Sequence, residues 1–384
     1  MAKVSEWSGD YFAGLWLLED ANQKLIDFCN NHKSIYIFGA GKIGNGLKNY
    51  LGQCDVPLKG FVTSDTFHEF KQVYKKGETG LVIGLSDKFL NEVMPMINSV
   101  VSESDLFMTS SEYREKIGQF CVENVRDNCN IAVYLVSHCN LACKGCRLFC
   151  PVNRRDFYEY EKCVKDIEQI KKLNLPLHHF NFTGGEPFLH PHLFDILKTT
   201  RRLFPNVKMQ IFTNGTLLNR LRDEQLKELI EFDIITVVTE YPTVINAAKT
   251  FYSKADEMGI KYSIIYYDET KKFTDEKMNA GRTTPKHEFY NCYCYKHSTN
   301  FLLYKGRIFG CGHPMFISYF NEYFNANYEV RNGDFVDIYN TTAEELYKFK
   351  ITRKPFCDYH PCTGRSVMEW GMSERKIEEW VHIE

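Results

Sequence analysis

The pattern of apolar and polar positions divides the chain into two successive α/β regions. In the first, apolar positions at helical spacing predict a helix over residues 12–30, followed by strands at 34–38 and 58–63. From Ile131 onward, short apolar runs alternate with longer amphipathic stretches. This second pattern predicts a parallel sheet with helical crossovers, closed or partly closed into a barrel.

The predicted barrel repeats one strand and one helix at a time. Strands are predicted at 131–137, 178–183, 207–213, 233–239 and 261–267, and helices at 159–173, 192–203, 217–230 and 243–258. Chemistry in such barrels lies at the carboxyl ends of the strands, because the loops that follow the strands meet there. Residues just after each strand are therefore the first candidates for a functional site.

A glycine-rich loop follows the first strand of the N-terminal region. Gly39, Gly41 and Gly44 have the spacing Gly-x-Gly-x-x-Gly, and Asp65 follows the next strand. In β-α-β units such glycines let the backbone approach a phosphate at a helix N-terminus, and the acid binds a ribose. Residues 1–125 are therefore predicted to be a small Rossmann-like domain. Binding of a nucleotide or nucleotide-sugar and a degenerate docking role account for the loop equally well.

The C-terminal region differs from the barrel in composition. After residue 285 the chain is richer in turns, cysteines and aromatics, and the glycines at 306, 310 and 312 with Pro314 predict short strands and loops. A length of 384 residues also favours two or three domains. The predicted boundaries are 1–125, 126–285 and 286–384.

Composition and charge narrow the classes of function. Hydrophobic residues make up 44% and charged residues 25%, which is ordinary for a globular protein. Forty-seven basic and 49 acidic residues leave a net charge of −2, so a general nucleic-acid binder is disfavoured. The N-terminus has no apolar signal core and no apolar run is long enough to span a bilayer. We therefore expect a cytoplasmic protein without a membrane partner.

The fourteen cysteines are clustered, which favours metal ligands over disulfides in a reducing compartment. Cys139, Cys143 and Cys146 lie in one tight loop after the first barrel strand. Three thiolates leave one iron of an iron-sulfur cluster open, whereas structural zinc and electron-transfer clusters take four ligands. Because Cys150-Pro151 resembles the end of a ferredoxin run, the loop alone fits zinc, a ferredoxin cluster or an open cluster.

A second motif, Thr183-Gly-Gly-Glu-Pro187, ends the next barrel strand. With the Cys-x3-Cys-x2-Cys loop it resembles the radical S-adenosylmethionine (radical SAM) superfamily, and the resemblance covers about residues 131–384. It implies a partial (β/α)6 barrel in which Cys139, Cys143 and Cys146 hold a [4Fe-4S] cluster while SAM chelates the fourth iron. On the same reading Cys150 is expected to turn away from the cluster.

The resemblance also implies which residues bind SAM. The candidates are Gly184, Gly185, Glu186, Pro187, Thr213, Asn214 and Thr239. The two glycines permit close backbone approach, and Glu186 offers an acceptor for the methionine ammonium group. The residues at 213, 214 and 239 end the third and fourth barrel strands, where the family places polar contacts to the ribose and the methionine carboxylate.

The C-terminal cysteines have the spacing Cys-x11-Gly-x4-Cys, which resembles the start of the Twitch and SPASM auxiliary domains. The shorter Twitch form, with one auxiliary [4Fe-4S] cluster, fits the two cysteines that follow. Its implied ligands are Cys294, Cys311, Cys357 and Cys362, with Cys292 as an alternative to Cys294. Zinc held by two cysteine pairs is the structural alternative.

Together the motifs predict an enzyme that cleaves SAM reductively to a 5′-deoxyadenosyl radical, using an electron from a reductant such as flavodoxin or ferredoxin. The expected substrate is a sugar, cyclitol or nucleotide-linked sugar, which is oxidised or epimerised. A peptide-modifying maturase and a non-enzymatic iron-sulfur sensor or scaffold are the alternatives. A barrel mouth poor in arginine and lysine, or a nucleotide in the first domain, would favour the sugar, and a groove for an extended strand would favour the peptide.

Overall fold

A computed structural model describes residues 3–6, 17–118, 121–266, 273–274, 277–283, 300–360 and 367–383. The strands are β1 (Lys3–Glu6), β2 (Ser34–Phe38), β3 (Leu58–Val62), β4 (Thr79–Ile83), β5 (Leu106–Phe107), β6 (Asn130–Val136), β7 (His179–Gly184), β8 (Lys208–Thr213), β9 (Ile234–Glu240), β10 (Tyr262–Tyr266), β11 (Phe273–Thr274), β12 (Met278–Asn279), β13 (Asn300–Tyr304), β14 (Arg307–Phe309), β15 (Phe335–Asp337), β16 (Val367–Met368) and β17 (Val381–His382). The helices are α1 (Leu17–Asn30), α2 (Lys42–Gln53), α3 (Phe67–Val73), α4 (Asp87–Asn98), α5 (Ser111–Ile117), α6 (Val122–Asp127), α7 (Tyr160–Lys172), α8 (Leu193–Leu203), α9 (Asp223–Glu231), α10 (Ile245–Met258), α11 (His313–Phe324) and α12 (Ala343–Ile351). None of these helices is both long enough and apolar enough to cross a bilayer.

The N-terminal region forms a parallel sheet with the strand order β3-β2-β4-β5. Ile35 and Ile37 pack into one apolar cluster, whereas Tyr36 and Phe38 pack into another. Alternate side chains of a strand point to opposite faces, so both faces of this sheet are covered. Within this sheet the order is second, first, third and fourth, which is typical of doubly wound α/β folds.

A larger sheet joins nine of the described strands in the order β1-β10-β9-β8-β7-β6-β13-β14-β15. The seven strands from β1 to β13 in this order are parallel, and β14 and β15 continue the sheet antiparallel. The five predicted barrel strands match β6 to β10 with each end within one residue. The prediction of a mixed α/β fold with parallel sheets is confirmed.

Both flanks of the five central strands come from distant parts of the chain. β1 pairs with β10, and β13 pairs with β6, so one sheet contains strands from all three predicted segments. Among the described strands, the outer strands β1 and β15 do not pair with each other, and the sheet remains open at that point. Because β13 pairs with β6, residues of the predicted C-terminal segment are part of the large sheet and lie directly beside its central strands.

A hairpin and a helix follow β13. Lys305 and Gly306 connect β13 to β14 with φ of 46° and 80°, as a two-residue turn with left-handed residues requires. The glycines and Pro314 predicted only short strands and loops here, but α11 begins at His313 and runs for twelve residues. Proline in the first turn removes no intrahelical hydrogen bond, so Pro314 is compatible with a helix start.

Helix α2 of the smaller sheet contacts the end of α12. The side-chain amides of Asn49 and Gln53 donate to the carbonyl of Ile351 at 3.2 and 2.7 Å, and the backbone N–H of Arg353 donates to Gln53 at 2.8 Å. These polar contacts fix the N-terminal sheet against the C-terminal residues that border the large sheet.

Candidate functional site

The cysteine loop, residues 137–156, follows β6 and is closed at its base by Ser137. The Ser137 hydroxyl donates to the carbonyl of Arg154 at 2.6 Å, and its backbone N–H donates to the carbonyl of Asp156 at 3.0 Å. Within the loop Gly145 adopts a left-handed φ of 63°, which glycine tolerates best. The loop is therefore a defined turn at the carboxyl end of the sheet.

Three thiols and the ends of three neighbouring strands line one cavity of about 430 Å³, here called the cysteine cavity. Its lining includes Cys139, Cys143, Cys146, Gly184, Gly185, Thr213, Asn214 and Thr239. The structure therefore brings together eight residues that the sequence predicts for the cluster and SAM. Glu186 and Pro187 are buried beside them, but they are not among the described residues that line this cavity.

The thiols differ in how their surroundings affect ionisation. Burial raises the pKa of Cys139 to about 12 and that of Cys143 to about 11. A hydrogen bond from Cys150 lowers the pKa of Cys146 to about 7. Because metal ligands must be thiolates, assembly of a cluster here would release protons from Cys139 and Cys143.

Cys150 lies inside the site. The sequence-based expectation was that it turns away, but its side chain lines the cysteine cavity and hydrogen-bonds to Cys146. Phe149, in a left-handed conformation with φ of 58°, directs the chain at this point. Cys150 is therefore a neighbour of the three thiols.

Glu186 connects the ends of β7 and β8. The carboxylate is fully buried and accepts from the Thr213 hydroxyl at 2.8 Å, the Asn214 N–H at 2.9 Å and the Phe188 N–H at 3.2 Å. Burial raises its pKa to about 7 despite these three hydrogen bonds, which act in the opposite direction. The sequence predicted an acceptor for the SAM ammonium group, whereas both oxygens already bind the protein's own donors.

The two glycines before Glu186 allow β7 to approach the cysteine loop. Gly184 has φ of 133°, and a Cβ at that position would lie 2.5 Å from the carbonyl oxygen of Val136. A Cβ on Gly185 would overlap the carbonyl oxygen of His138. The glycines are therefore required for backbone packing against the end of β6 and the cysteine loop, whereas the sequence predicted them for close approach to SAM.

Asn214 connects β8 to the first cysteine. Its side-chain amide donates to the Cys139 sulfur at 3.3 Å and to Asn140 Oδ1 at 2.9 Å. Asn140 in turn donates to the Thr216 hydroxyl at 2.6 Å. In this structure Asn214 therefore orients the cysteine loop, a role that the motif did not reveal.

The C-terminal segment 370–373 packs along the cysteine loop. The Trp370 indole N–H donates to the Cys143 sulfur at 3.2 Å. Backbone hydrogen bonds from Lys144 to Gly371, at 2.8 Å, and from Ser373 to Ala142, at 2.7 Å, hold the segment in place. More than 200 residues separate this segment from the loop, so no local sequence pattern indicated the contact.

We expect Trp370→Phe to lower the midpoint potential of a cluster bound at Cys143. A hydrogen bond to a thiolate stabilises the reduced, more negative cluster, and losing about 1 kcal/mol of that stabilisation lowers a one-electron potential by about 40 mV. Anaerobic redox titration followed by electron paramagnetic resonance measures it. The matched control is Trp380→Phe, because Trp380 donates to the Cys146 carbonyl at 2.9 Å and, among the described residues, to no sulfur. An unchanged potential in Trp370→Phe contradicts the expectation.

A second cavity of about 220 Å³, here called the inner cavity, adjoins the first. The two share Tyr134, Arg147, Thr183 and Phe212, and Lys350 of α12 lines only the inner one. Sequence reasoning singled out neither cation. The sequence could have indicated Arg147, because it directly follows Cys146. It could not have indicated Lys350, because the position of Lys350 depends on the packing of α12.

The predicted auxiliary ligands are only partly within the described residues. Cys294, Cys362 and the alternative Cys292 lie outside them. The Cys311 sulfur lies 3.4 Å from Nδ1 of His313, whose ring centroid is 4.9 Å from that of His360. Cys357 precedes His360 by one turn of a short helix. The four-cysteine auxiliary cluster therefore stays a prediction.

The N-terminal glycine loop lies in the smaller sheet and is closely packed. A Cβ on Gly44 would overlap the carbonyl oxygen of Gly39, and one on Gly39 would lie 2.6 Å from the Leu85 side chain. Gly41 has open space around it, and Asp65 is exposed in the turn after β3. Packing accounts for two of the three glycines, and nucleotide binding by Gly39, Gly41, Gly44 and Asp65 stays a prediction.

Comparison with known families identifies the segment that contains the cysteine cavity. Residues 133–241 match the family model described as "Radical SAM superfamily". These residues form a radical SAM domain. The matched range begins in β6 and ends just after β9, so it includes the three thiols and all three strand ends of the cavity.

Several known proteins are similar to part of this chain. A GTP 3′,8-cyclase of Mycobacterium sp. (strain KMS) is 33% identical over 91 residues, which cover 22% of this chain and 25% of that protein. A GTP 3′,8-cyclase of Microcystis aeruginosa (strain NIES-843 / IAM M-2473) is 29% identical over 99 residues, or 24% and 29%. The chain thus spans about a quarter of the curated relatives' length. The crystal structure of BtrN in complex with AdoMet and 2-DOIA has a TM-score of 0.39 and 17% identity, covering 58% of this chain and 84% of that one.

A radical SAM domain implies a [4Fe-4S] cluster and SAM, and the residues present fit both groups. In the described residues no three His, Cys, Asp or Glu side chains converge as ligands of a single metal ion. A cluster has a different requirement, because each cysteine binds its own iron atom. Cys139, Cys143 and Cys146 line one cavity with space beside them for a further ligand.

Proposed function

We propose that this chain is a SAM-dependent radical enzyme acting on a small phosphorylated or nucleotide-linked sugar. The observation that carries the proposal is the position of the inner cavity, which shares four lining residues with the cavity of the three thiols. A substrate in the inner cavity would lie beside bound SAM. When bound, the cluster and SAM supply the one-electron chemistry that removes a hydrogen atom from an unactivated C–H bond.

The chain's own residues would hold and orient these groups. Cys139, Cys143 and Cys146 would be the cluster ligands, and Thr239 at the end of β9 would face SAM. Asn214 and Trp370 would orient the thiolates through their hydrogen bonds to sulfur. Because the two cavities adjoin, a substrate in the inner cavity would lie next to SAM in the cysteine cavity, and the residues that line both would exclude water.

The size and lining of the inner cavity support a small polar substrate over a peptide. Its 220 Å³ is below the range of roughly 300–1,000 Å³ of pockets for drug-sized ligands. The barrel mouth is not poor in basic residues, because Arg147 lines both cavities. By the sequence-based criterion this counts against a neutral sugar or cyclitol, and we propose a charged sugar because its phosphate would complement Arg147. The relatives' name, GTP 3′,8-cyclase, also supports a phosphorylated substrate.

Analysis of the products of an anaerobic reaction tests the proposal. Reconstituted protein, SAM and dithionite are incubated with a panel of sugar phosphates, nucleotide-sugars and free sugars. We expect 5′-deoxyadenosine together with an oxidised or epimerised product from a phosphorylated member. Turnover of free sugars alone, or of a peptide instead, contradicts the substrate class. Absence of any SAM cleavage contradicts the enzymatic proposal and favours a sensor or scaffold.

An auxiliary [4Fe-4S] cluster in the C-terminal module completes the proposal, and iron counting tests it. We expect about eight iron atoms per chain after anaerobic reconstitution, which corresponds to two four-iron clusters, and about four in Cys311→Ala. Cys163→Ala is the control, because Cys163 is a fully buried thiol in α7 and should leave the count unchanged. Zinc in the C-terminal module, with iron only at the cysteine loop, contradicts the auxiliary cluster.

A further inference from the structure

We propose that Arg147 and Lys350 bind the phosphoryl group of the substrate in the inner cavity. The inference rests on the proposed function and deepens it, because it assigns the anionic part of the substrate to named residues. It concerns two cations that are not part of the cysteine and glycine motifs.

The inner face of the large sheet forms the site. Ala132 and Tyr134 of β6 line the inner cavity at alternate positions, as do Asn181 and Thr183 of β7. Alternate residues of a strand share one face, so the cavity lies on a single face of the parallel sheet. Arg147 reaches this face from the cysteine loop and Lys350 from α12.

The charges that line the cavity have one sign. Arg147 and Lys350 are cationic, and none of the described residues that line the cavity is an aspartate or a glutamate. Lys350 is only 3% exposed, although taking an ammonium group out of water is costly in free energy. Because Lys350 lines the cavity, an anionic ligand there would contact its side chain. A guanidinium and an ammonium provided by different elements suit a dianionic phosphate better than a singly charged carboxylate.

The remaining polar groups suit a hydroxylated ligand. Oδ1 of Asn181 is buried and accepts no hydrogen bond from the described residues. Asn300, at the start of β13, adds a second carboxamide to the same cavity. Carboxamides both donate and accept, as recognition of sugar hydroxyls requires. The cavity therefore combines an anion-binding side with groups for hydroxyls.

Calorimetric titration of the full-length, cluster-loaded protein with SAM tests the site. Inorganic phosphate and acetate are compared at equal ionic strength. We expect phosphate to bind the wild type more tightly than acetate, and Arg147→Gln and Lys350→Gln each to weaken phosphate binding at least tenfold. Lys198→Gln, an exposed lysine on α8, is the matched control and should change nothing.

Several outcomes overturn the inference. They are no phosphate binding to the wild type, tighter binding of acetate than of phosphate, and an unchanged phosphate affinity in Arg147→Gln. Because Lys350 is buried, its variant could fail to fold, and the result for Arg147→Gln then decides. SAM cleavage by the same samples is measured separately. Phosphate binding that depends on Arg147, without SAM cleavage, would support the phosphate site and contradict the proposed enzymatic function. SAM cleavage without phosphate binding would support the enzymatic function and contradict the phosphate site.

Discussion

Replacing Cys143 with alanine is expected to abolish SAM cleavage and to remove the iron bound at the cysteine loop. Cys143 is buried in the cavity, and its sulfur accepts the Trp370 indole N–H at 3.2 Å. Because Cys150 is expected not to be a ligand, the variant would keep only two of the three ligands, too few for a cluster that leaves one iron for SAM. The same loss is expected for Cys139→Ala and Cys146→Ala. Iron and sulfide analysis after anaerobic reconstitution measures the first effect, and 5′-deoxyadenosine formation measures the second.

Cys150→Ala is the decisive companion variant, because Cys150 lines the same cavity and hydrogen-bonds to Cys146. We expect this variant to keep the cluster, to change its electron paramagnetic resonance signal when SAM is added, and still to yield 5′-deoxyadenosine. Loss of the cluster in Cys150→Ala, with Cys146→Ala tolerated, would overturn the ligand assignment.

The central strands could be predicted from the sequence because their environment is uniform. A parallel strand covered on both faces is a short apolar run, and Ile131, Phe180 and Ile211 belong to such runs. β1 was not predicted because it is a four-residue strand that pairs, among the described strands, with β10 far along the chain. α11 was not predicted because Pro314 after three glycines is typical of a loop, although proline is also favourable in the first turn of a helix.

Most of the residues that the motifs single out lie around one cavity in the structure, but the motifs did not give the partner of each side chain. Glu186 follows a strand end in the family pattern, and so the sequence suggested an ammonium contact. Its actual partners depend on the register of β7 against β8, in which Phe182 pairs with Ile211 and Thr213 comes to lie beside Glu186. Lys350 and Trp370 reach the cavities through tertiary packing of the C-terminal residues, which leaves no local pattern to read.

Glu186→Ala is expected to destabilise the apoprotein by roughly 3–5 kcal/mol. The substitution leaves the Thr213 hydroxyl and the N–H groups of Asn214 and Phe188 buried without their acceptor, and each lost partner costs about 1–3 kcal/mol. The pKa of Glu186 is raised to about 7 by burial, so its contribution to stability is complete below pH 4.5 and is lost as the pH rises through 7. The variant should therefore be most destabilised, relative to wild type, at acidic pH. Urea unfolding of the apoprotein at pH 5.5, 7 and 8.5 measures both effects.

Working on the apoprotein separates this structural role from a contact with SAM. If Glu186 serves only the methionine ammonium group, the variant will unfold at the wild-type urea concentration at every pH and will lose only SAM affinity after reconstitution. Glu231→Ala is the matched control, because it removes an exposed carboxylate at the end of α9 and should change stability by less than about 0.5 kcal/mol.

A connection between β7 and β8 through Glu186 also predicts a smaller effect on the cysteine loop. Loss of the Asn214 N–H bond would loosen the Asn214 amide that contacts Cys139, so iron retention should fall together with stability.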